Sequence, residues 1–235
     1  MTLAAAPRSH RVLADLIVPS RSRALAFAAD ATLVVAGAVF VTLLAQVAIP
    51  MQPVPITGQT FAVLLVGAGL GAVRGASALV LYAAAGLLGL PVGAPQADGS
   101  HLTGSALFAA PSFGYIVGFV FAAAVVGLFA RRTWDRRIPK ALVAFAVGSI
   151  TIYAFGLPWL AVVLAGARVP QDQLLSATLT NGILPFLVGD VVKAVLAGLL
   201  LPLVWRGVRA VDNGRWQPLS PPSGWTVGRG PAALR

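Results

Sequence analysis

The sequence has 235 residues, of which 58% are hydrophobic and only 10% are charged. A soluble domain carries about 25% charged residues, so this chain has too little charge for a water-facing surface and is expected to lie in a lipid bilayer. The net charge of +10 does not indicate nucleic-acid binding, because the basic residues cluster between apolar runs. With no Cys and two His, disulfides and thiolate chemistry are excluded, and we expect no metal site and no cofactor.

Six apolar runs predict an all-α integral membrane protein of about six transmembrane helices, since one span needs about 20 apolar residues. The predicted spans are residues 25–49, 58–71, 76–90, 106–130, 141–165 and 179–205. The fourth span begins at residue 106 or near Pro111. Pro158 is expected to kink the fifth span, and Pro185 interrupts the sixth near its start.

The second and third spans are short, and we predict a tight turn at Arg74 between them. One long tilted helix is the alternative, and its buried Arg would then need a partner. The segments 91–105, 131–140 and 166–176 are predicted loops. The chain thus divides into a leader of residues 1–24, a six-helix membrane domain of residues 25–205, and a tail of residues 206–235 rich in Pro, Gly and Trp and expected to be disordered.

The distribution of basic residues orients these spans. With the N-terminus in the cytoplasm, fifteen Lys and Arg residues lie on the cytoplasmic side, Arg168 lies outside, and Lys193 lies within the sixth span. Loops rich in Lys and Arg stay cytoplasmic, so we predict a multi-pass protein of the cell membrane with both termini inside. Asp30, near the cytoplasmic start of the first span, is expected at the headgroups or paired with a nearby Arg.

Asp190 and Lys193 are two ionisable residues within the otherwise apolar sixth span. Three residues apart on a helix, they share one face, and as a pair they compensate each other's burial. An ionisable residue inside a membrane is a functional candidate. Their position near the outer end of the helix predicts a pocket that opens outward, and an ion pair that only fixes helix packing is the alternative.

Polar and aromatic residues near the outer ends of other spans are candidates for the walls of this pocket. The segment 53–60 reads Pro-Val-Pro-Ile-Thr-Gly-Gln-Thr, a stiff turn followed by polar side chains. An apolar wall with a few polar contacts is the usual form of a small-molecule site, although each aromatic taken alone also fits a helix core or an interfacial belt. The candidates are Thr57, Gln59, Thr60, Tyr82, Ser112, Phe113, Tyr115, Tyr153 and Trp159.

The first span carries small residues at four-residue spacing, which lets another helix approach closely. This face consists of Ala24, Ala28, Thr32 and Ala36. It suits internal packing or the docking of a partner membrane protein equally well.

The ordered motifs of the chain resemble the BioY family, the biotin-binding S components of energy-coupling factor (ECF) transporters. The resemblance spans roughly residues 25–205. The matching elements are Pro-Val-Pro-Ile-Thr-Gly-Gln-Thr at 53–60, Gly-Ala-Val-Arg-Gly at 71–75, Gly-Leu-Pro-Val at 89–92, Gly-Tyr at 114–115 before Gly-Phe at 118–119, Leu-Pro-Phe at 184–186, and Gly-Asp-Val-Val-Lys-Ala at 189–194.

The resemblance implies a six-helix ECF S-component fold that binds biotin on the outward side. It implies association with a transmembrane T component and two cytoplasmic ATPases, although some family members work alone. The Asp and Lys of the family motif correspond to Asp190 and Lys193, which would help to bind the ureido ring of biotin. The expected ligand-binding residues are Asp190, Lys193, Tyr115, Gln59, Thr57, Tyr82, Ser112 and Phe113.

Two segments depart from the family pattern. Residues 93–101 replace a loop that is often strongly Gly-rich, and Pro111-Ser112-Phe113 stands where the family has Pro-Thr-Gly. These differences leave open which group would bind the biotin carboxylate, with Gln96, Ser100, His101 and Ser105 as candidates.

Other functions are weighed against biotin uptake. The same architecture fits an S component for another vitamin or a solitary biotin transporter. An intramembrane enzyme would need a catalytic constellation beside Asp190 and Lys193, and a purely structural protein would tolerate their replacement. The sequence has no GxSxG element and no Walker A loop, so ATP hydrolysis would have to come from a partner.

Overall fold

The computed structural model describes residues 12–16, 18 and 22–215, with side chains to residue 209. The described chain is helical, with short 3-10 turns at Leu13–Leu16 and Trp134–Arg136 and a two-residue antiparallel hairpin of β1 (Ala48–Ile49) and β2 (Ile56–Thr57). The helices are α1 (Arg23–Ala45), α2 (Gln59–Leu70), α3 (Ala72–Leu87), α4 (Gly104–Ala109), α5 (Phe113–Arg131), α6 (Ile138–Gly166), α7 (Gln171–Gly182) and α8 (Leu187–Arg215).

Six apolar helical segments account for the membrane-embedded part of the fold. Four are long and apolar enough to cross a membrane, namely α1, α5, α6 and the α7–α8 segment Gln171–Arg209, and α2 and α3 are shorter apolar helices. Large side chains on their outer faces stay exposed, such as Phe27 at 77% and Val188 at 78%, as expected for lipid-facing positions. The predicted all-α membrane fold of about six spans is confirmed.

The central helix of the bundle is α5. It packs against α2, α3 and α6, and its residues Phe119, Ala122, Ala123 and Val126 are buried. Small residues allow this close approach. At Gly127 the α5 backbone lies so near the start of α3 that an added Cβ would come within 2.6 Å of the Ala72 Cα.

The turn between α2 and α3 lies at Gly71, and the predicted turn at Arg74 is wrong. Gly71 has a φ of 84°, a left-handed conformation that glycine adopts without steric cost. Arg74 instead lies in the first turn of α3, where its guanidinium contacts Asp15 at 3.0 Å and Asp30 at 2.7 Å. The expectation that Asp30 pairs with a nearby Arg is confirmed, and two helices replace the alternative of one long helix.

Other helix boundaries in the structure also differ from the predicted ones. Part of the predicted loop 166–176 is helical, because Pro170 precedes the first residue of α7 and Asp172 lies in its first turn, where a carboxylate stabilises the helix. Pro185 separates α7 from α8, and α5 begins at Phe113 after the short α4, as the Pro111 alternative predicted. The helix α6 continues through Pro158.

The proposed tail is partly helical, since α8 continues to Arg215. Residues 216–235 and most of the leader lie outside the described residues. Within the leader, the described Val12 and Ala14 are buried and pack with Ala130 and Leu201 at the end of the bundle that carries Arg23, Arg74, Arg131 and Arg206. This end is called the basic end below.

At the basic end, two residues of the loop between α5 and α6 contact Trp205 of α8. Asp135 is 3% exposed and accepts a hydrogen bond from the indole N–H of Trp205. The guanidinium of Arg136 lies 4.0 Å from the centre of the Trp205 ring. Burial raises the pKa of the Asp135 carboxyl to about 6, although the hydrogen bond from Trp205 and the charge of Arg136 lower it.

Replacing Gly127 with Ala should destabilise the bundle, because its Cβ would overlap the backbone of Gly71 and Ala72. Overpacking of this kind costs about 1–3 kcal/mol. Thermal unfolding in detergent measures the loss. Gly69→Ala is the matched control, since nothing lies within 4 Å of its added Cβ, and equal melting temperatures for the two variants would contradict the close approach of α5 to α3.

Charge burial at Asp135 should make stability fall as the pH rises. Its folded pKa of about 6 lies above the ordinary value of 3.8, so the folded state binds the proton more tightly and stability decreases between about pH 4 and pH 6. Asp135→Asn should flatten this dependence in thermal unfolding measured from pH 4 to pH 7. Asp172→Asn, on the exposed first turn of α7, is the control, and parallel curves for wild type and Asp135→Asn would refute the effect.

Candidate ligand-binding site

A cavity of about 770 Å³, including its open mouth, lies at the end of the bundle opposite the basic end. The starts of α2, α5 and α8 meet there with α3, α6 and the loop between α3 and α4. Apolar walls come from Ile116, Phe119, Ile152 and Phe186.

Asp190 and Lys193 form one polar cluster in this cavity. The Lys193 Nζ lies 3.2 Å from the Asp190 Oδ1, and the two side chains are only 17% and 13% exposed. Lys193 also donates to the Thr60 hydroxyl at 3.0 Å, and Thr60 donates to the Asp190 Oδ1 at 3.3 Å. The Tyr153 hydroxyl donates to the Asp190 Oδ2. Each carboxylate oxygen therefore has a donor, which offsets the cost of charge in an apolar setting.

A second polar cluster consists of Thr57, Gln59 and Tyr82, and all three are buried. The Thr57 hydroxyl donates to the Gln59 Oε1 at 3.0 Å and accepts from the Gln59 backbone N–H at 3.2 Å. The Gln59 Nε2 donates to the Tyr82 hydroxyl oxygen. These bonds fix the orientation of the Gln59 carboxamide beside the cavity without a charged group.

The hairpin before α2 explains the position of both clusters. Prolines interrupt the chain after α1, and the strand pair β1–β2 returns it so that α2 begins at Gln59. Thr57 is the last residue of β2, and Gln59 and Thr60 lie in the first turn of α2. Successive residues of a helix point in different directions, so Gln59 joins one cluster and Thr60 joins the other.

Seven of the eight predicted ligand-binding residues line this one cavity. They are Thr57, Gln59, Tyr82, Ser112, Tyr115, Asp190 and Lys193. Tyr115 also donates a hydrogen bond to the Gly182 carbonyl at 2.9 Å, which holds the end of α7.

Phe113 does not line the cavity. Its ring packs against Phe108 and Trp159, with ring centres 5.0 and 5.7 Å apart. Trp159, another predicted wall residue, donates its indole N–H to the Ala110 carbonyl and is likewise absent from the lining. The ring contacts among Phe108, Phe113 and Trp159 join α4, α5 and α6 outside the pocket.

Sequence reasoning missed several lining residues, including Ser149, Ile152 and Phe186. Ser149 and Ile152 stand in a uniformly apolar helix, and no sequence signal marks the face that turns inward. Thr60 is a predicted wall residue and lines the cavity, but its bonds to Asp190 and Lys193 could not be predicted, because nothing in the sequence links α2 to a cluster on α8.

Of the four residues considered for a carboxylate, only Gln96 lines the cavity. The Ser100 hydroxyl and backbone N–H donate to the Asp98 Oδ1, and these bonds lower the pKa of the Asp98 carboxyl. The His101 Nδ1 lies 2.9 Å from the Gly93 carbonyl, which also accepts from Gln46. Ser105 is exposed in α4 and is not part of the lining.

Fold and pocket together define a class: a multi-pass helical membrane protein with a small-molecule cavity near one end. Among the residues that the structure describes, no group of three or more His, Cys, Asp or Glu is placed to hold a metal ion. The chain belongs to the BioY family, whose sequence profile matches residues 16–210.

Individual relatives agree with this assignment. The biotin transporter BioY of Rhizobium etli is 35% identical over 165 residues, which cover 67% of this chain and 81% of the relative. The biotin transporter BioY of Rhodobacter capsulatus is 39% identical over 152 residues, which cover 63% of this chain and 76% of the relative. A crystal structure of the S-component for biotin from an ECF-type ABC transporter aligns with a TM-score of 0.62 at 25% identity, covering 77% of this chain and 92% of that chain.

Proposed function

We propose that this protein is a biotin-binding S component that mediates biotin uptake across the cell membrane. The observation that carries the proposal is the Asp190–Lys193 pair in the wall of the cavity, inside the segment that matches the BioY family. Relatives that share this segment bear the name of biotin transporters.

The chemistry of the cavity matches a ureido ring. Such a ring has two N–H donors and one carbonyl acceptor. Asp190 can accept from the ring N–H groups, and Lys193 can donate to the carbonyl while it keeps Asp190 ionised. The apolar residues Ile116, Phe119 and Ile152 would receive the thiophane ring and the aliphatic chain. We further propose that the protein is not an enzyme, because the donors around Asp190 hold its carboxylate in place for binding.

Asp190→Asn and Lys193→Ala should each weaken biotin binding by about 100-fold or more, because either change leaves a buried charge or ligand group unpaired. Isothermal titration calorimetry on the purified protein in detergent measures the affinity. Asp172→Asn, exposed in α7, should bind as the wild type does. Wild-type affinity in the Asp190→Asn protein would remove that residue from the site, and a wild-type protein that binds no biotin would overturn the proposed function.

We propose that the basic end faces the cytoplasm, together with both termini, and that the cavity opens outward. The basic residues concentrated at that end support this orientation. A T component and two ATPases would then approach from the basic end and drive uptake. The face of this chain that contacts the T component would be the stripe of Ala24, Ala28, Thr32 and Ala36, all exposed on α1.

Ala28→Trp should disrupt docking, because small residues let a partner helix approach closely and the indole would hold it away. Co-purification with a tagged T component measures the association, with an expected loss of about tenfold or more. Val162→Trp is the control, since Val162 is exposed on α6 at 64% away from this stripe. Unchanged association of the Ala28→Trp protein would show that the T component does not dock on this face of α1. Biotin uptake by the chain alone, without a T component and ATPases, would favour a solitary transporter.

A further inference from the structure

Basic side chains from three helix ends surround the loop between α5 and α6. The 3-10 turn Trp134–Arg136 of this loop packs against α5, α6 and α8. The Lys140 Nζ lies 5.8 Å from the centre of the Trp134 ring, and the Arg209 Nε donates to the Trp205 carbonyl at 3.3 Å. The exposed cations around the turn are called the basic patch, and they are Arg132, Arg137, Lys140, Arg206 and Arg209.

The positive charge of the basic patch has no counter-charge within the described part of the chain. None of the five cations forms an ion pair with a described carboxylate. Asp135 lies in the same loop, but it is 3% exposed and its carboxylate is bound by Trp205. Like charges that are held close together repel one another, so a bound anion would stabilise this end of the bundle.

The start of α6 adds to this positive potential. Arg137 is the N-cap residue of α6, its side chain makes no capping bond, and the first turn of the helix contains no acidic residue. The positive end of a helix dipole favours an anion and disfavours cations. Arg137 and Lys140 therefore occupy positions that are electrostatically unfavourable without a bound anion.

The surface beside the basic patch is apolar, which indicates the kind of anion that fits. The helices α5, α6 and α8 are long and apolar enough to cross a membrane, so their ends lie at the level of the lipid headgroups. Large apolar side chains are exposed next to the cations, and Trp134 is typical of an interfacial aromatic. These apolar neighbours are Leu128, Ile138, Val143 and Leu203, with exposed fractions of 54%, 41%, 51% and 58%.

A phospholipid matches both parts of this surface, because it joins an anionic phosphate to apolar acyl chains. An acidic segment of a cytoplasmic protein would match the cations and leave the apolar side chains without a partner. Arg binds phosphate oxygens through two parallel N–H donors, and basic clusters between membrane helices are suited to anionic headgroups.

We propose that the basic patch binds the headgroup of an anionic phospholipid, with the acyl chains along the exposed apolar faces of α6 and α8. The bound lipid would bridge the ends of α5, α6 and α8. The site lies at the basic end, opposite the cavity, and does not depend on the ligand that the cavity holds.

Binding of phosphatidylglycerol to the full chain in detergent, with phosphatidylcholine as the neutral comparison, tests the basic patch. Native mass spectrometry measures the two affinities. The wild type should prefer phosphatidylglycerol by about tenfold or more, because each basic residue near an anionic lipid contributes a factor of about five. The double change Arg137→Gln and Arg206→Gln should reduce the preference to about twofold or less, and Lys140→Gln alone should cause a partial loss.

The double change Arg23→Gln and Arg168→Gln is the matched control, because it removes the same charge from exposed positions at the start of α1 and after α6. It should keep the lipid preference. Equal affinities of the wild type for the two lipids would overturn the site, and so would equal losses in the two double variants, since general charge attraction would then explain the binding.

Two further measurements separate the lipid from other anions. Inorganic phosphate at constant ionic strength should not displace phosphatidylglycerol, since it lacks acyl chains, and displacement at similar concentrations would assign the patch to a free anion. A patch variant that keeps the lipid preference but no longer co-purifies with the ATPases would assign it to a protein partner. Biotin affinity should be equal in all variants, and a wild type that binds the lipid but no biotin would refute the proposed function alone.

Discussion

An ionised side chain in an apolar setting must find a partner, and this requirement organises both ends of the bundle. At the cavity end, Asp190 and Lys193 of α8 are joined to Thr60 of α2 and Tyr153 of α6. The four side chains connect three helices, and all four line the cavity. At the basic end, Arg74 forms ion pairs with both Asp15 and Asp30. It links the start of α3 to α1 and to the described turn of the leader.

Small residues supply the complementary constraint. The apolar bilayer gives little hydrophobic force between helices, so close packing must hold them together. The close approach of α5 to α3 at Gly127 places α5 at the centre of the bundle. The start of α5 meets the starts of α2 and α8 at one cavity. Among apolar side chains, the walls of this cavity carry the charged cluster of Asp190 and Lys193 and the neutral cluster of Gln59 and Tyr82.

Hydropathy was enough to predict the membrane class, the number of spans and most helix positions, because a span is a long apolar run. It was less reliable at the boundaries. A charge in an apolar run suggests an exit from the membrane and so predicts a turn at Arg74, yet Gly71 makes the turn and Arg74 is neutralised by two distant carboxylates. The polarity of the segment 166–176 predicts a loop, whereas in the structure α7 begins there, after Pro170 and with Asp172 in its first turn.

The sequence alone determined which residues are available for function. Asp190 and Lys193 are conspicuous because charge is costly in a membrane, and their three-residue spacing places them on one face. Only the tertiary structure decided what surrounds them. The contacts of Thr60 and Tyr153 with Asp190 span 130 and 37 residues of sequence, and Gln59 reaches Tyr82 across 23. Such contacts leave no local periodic signal, since they arise only when separate helices pack, and for that reason Phe113 was expected in the cavity and is found outside it.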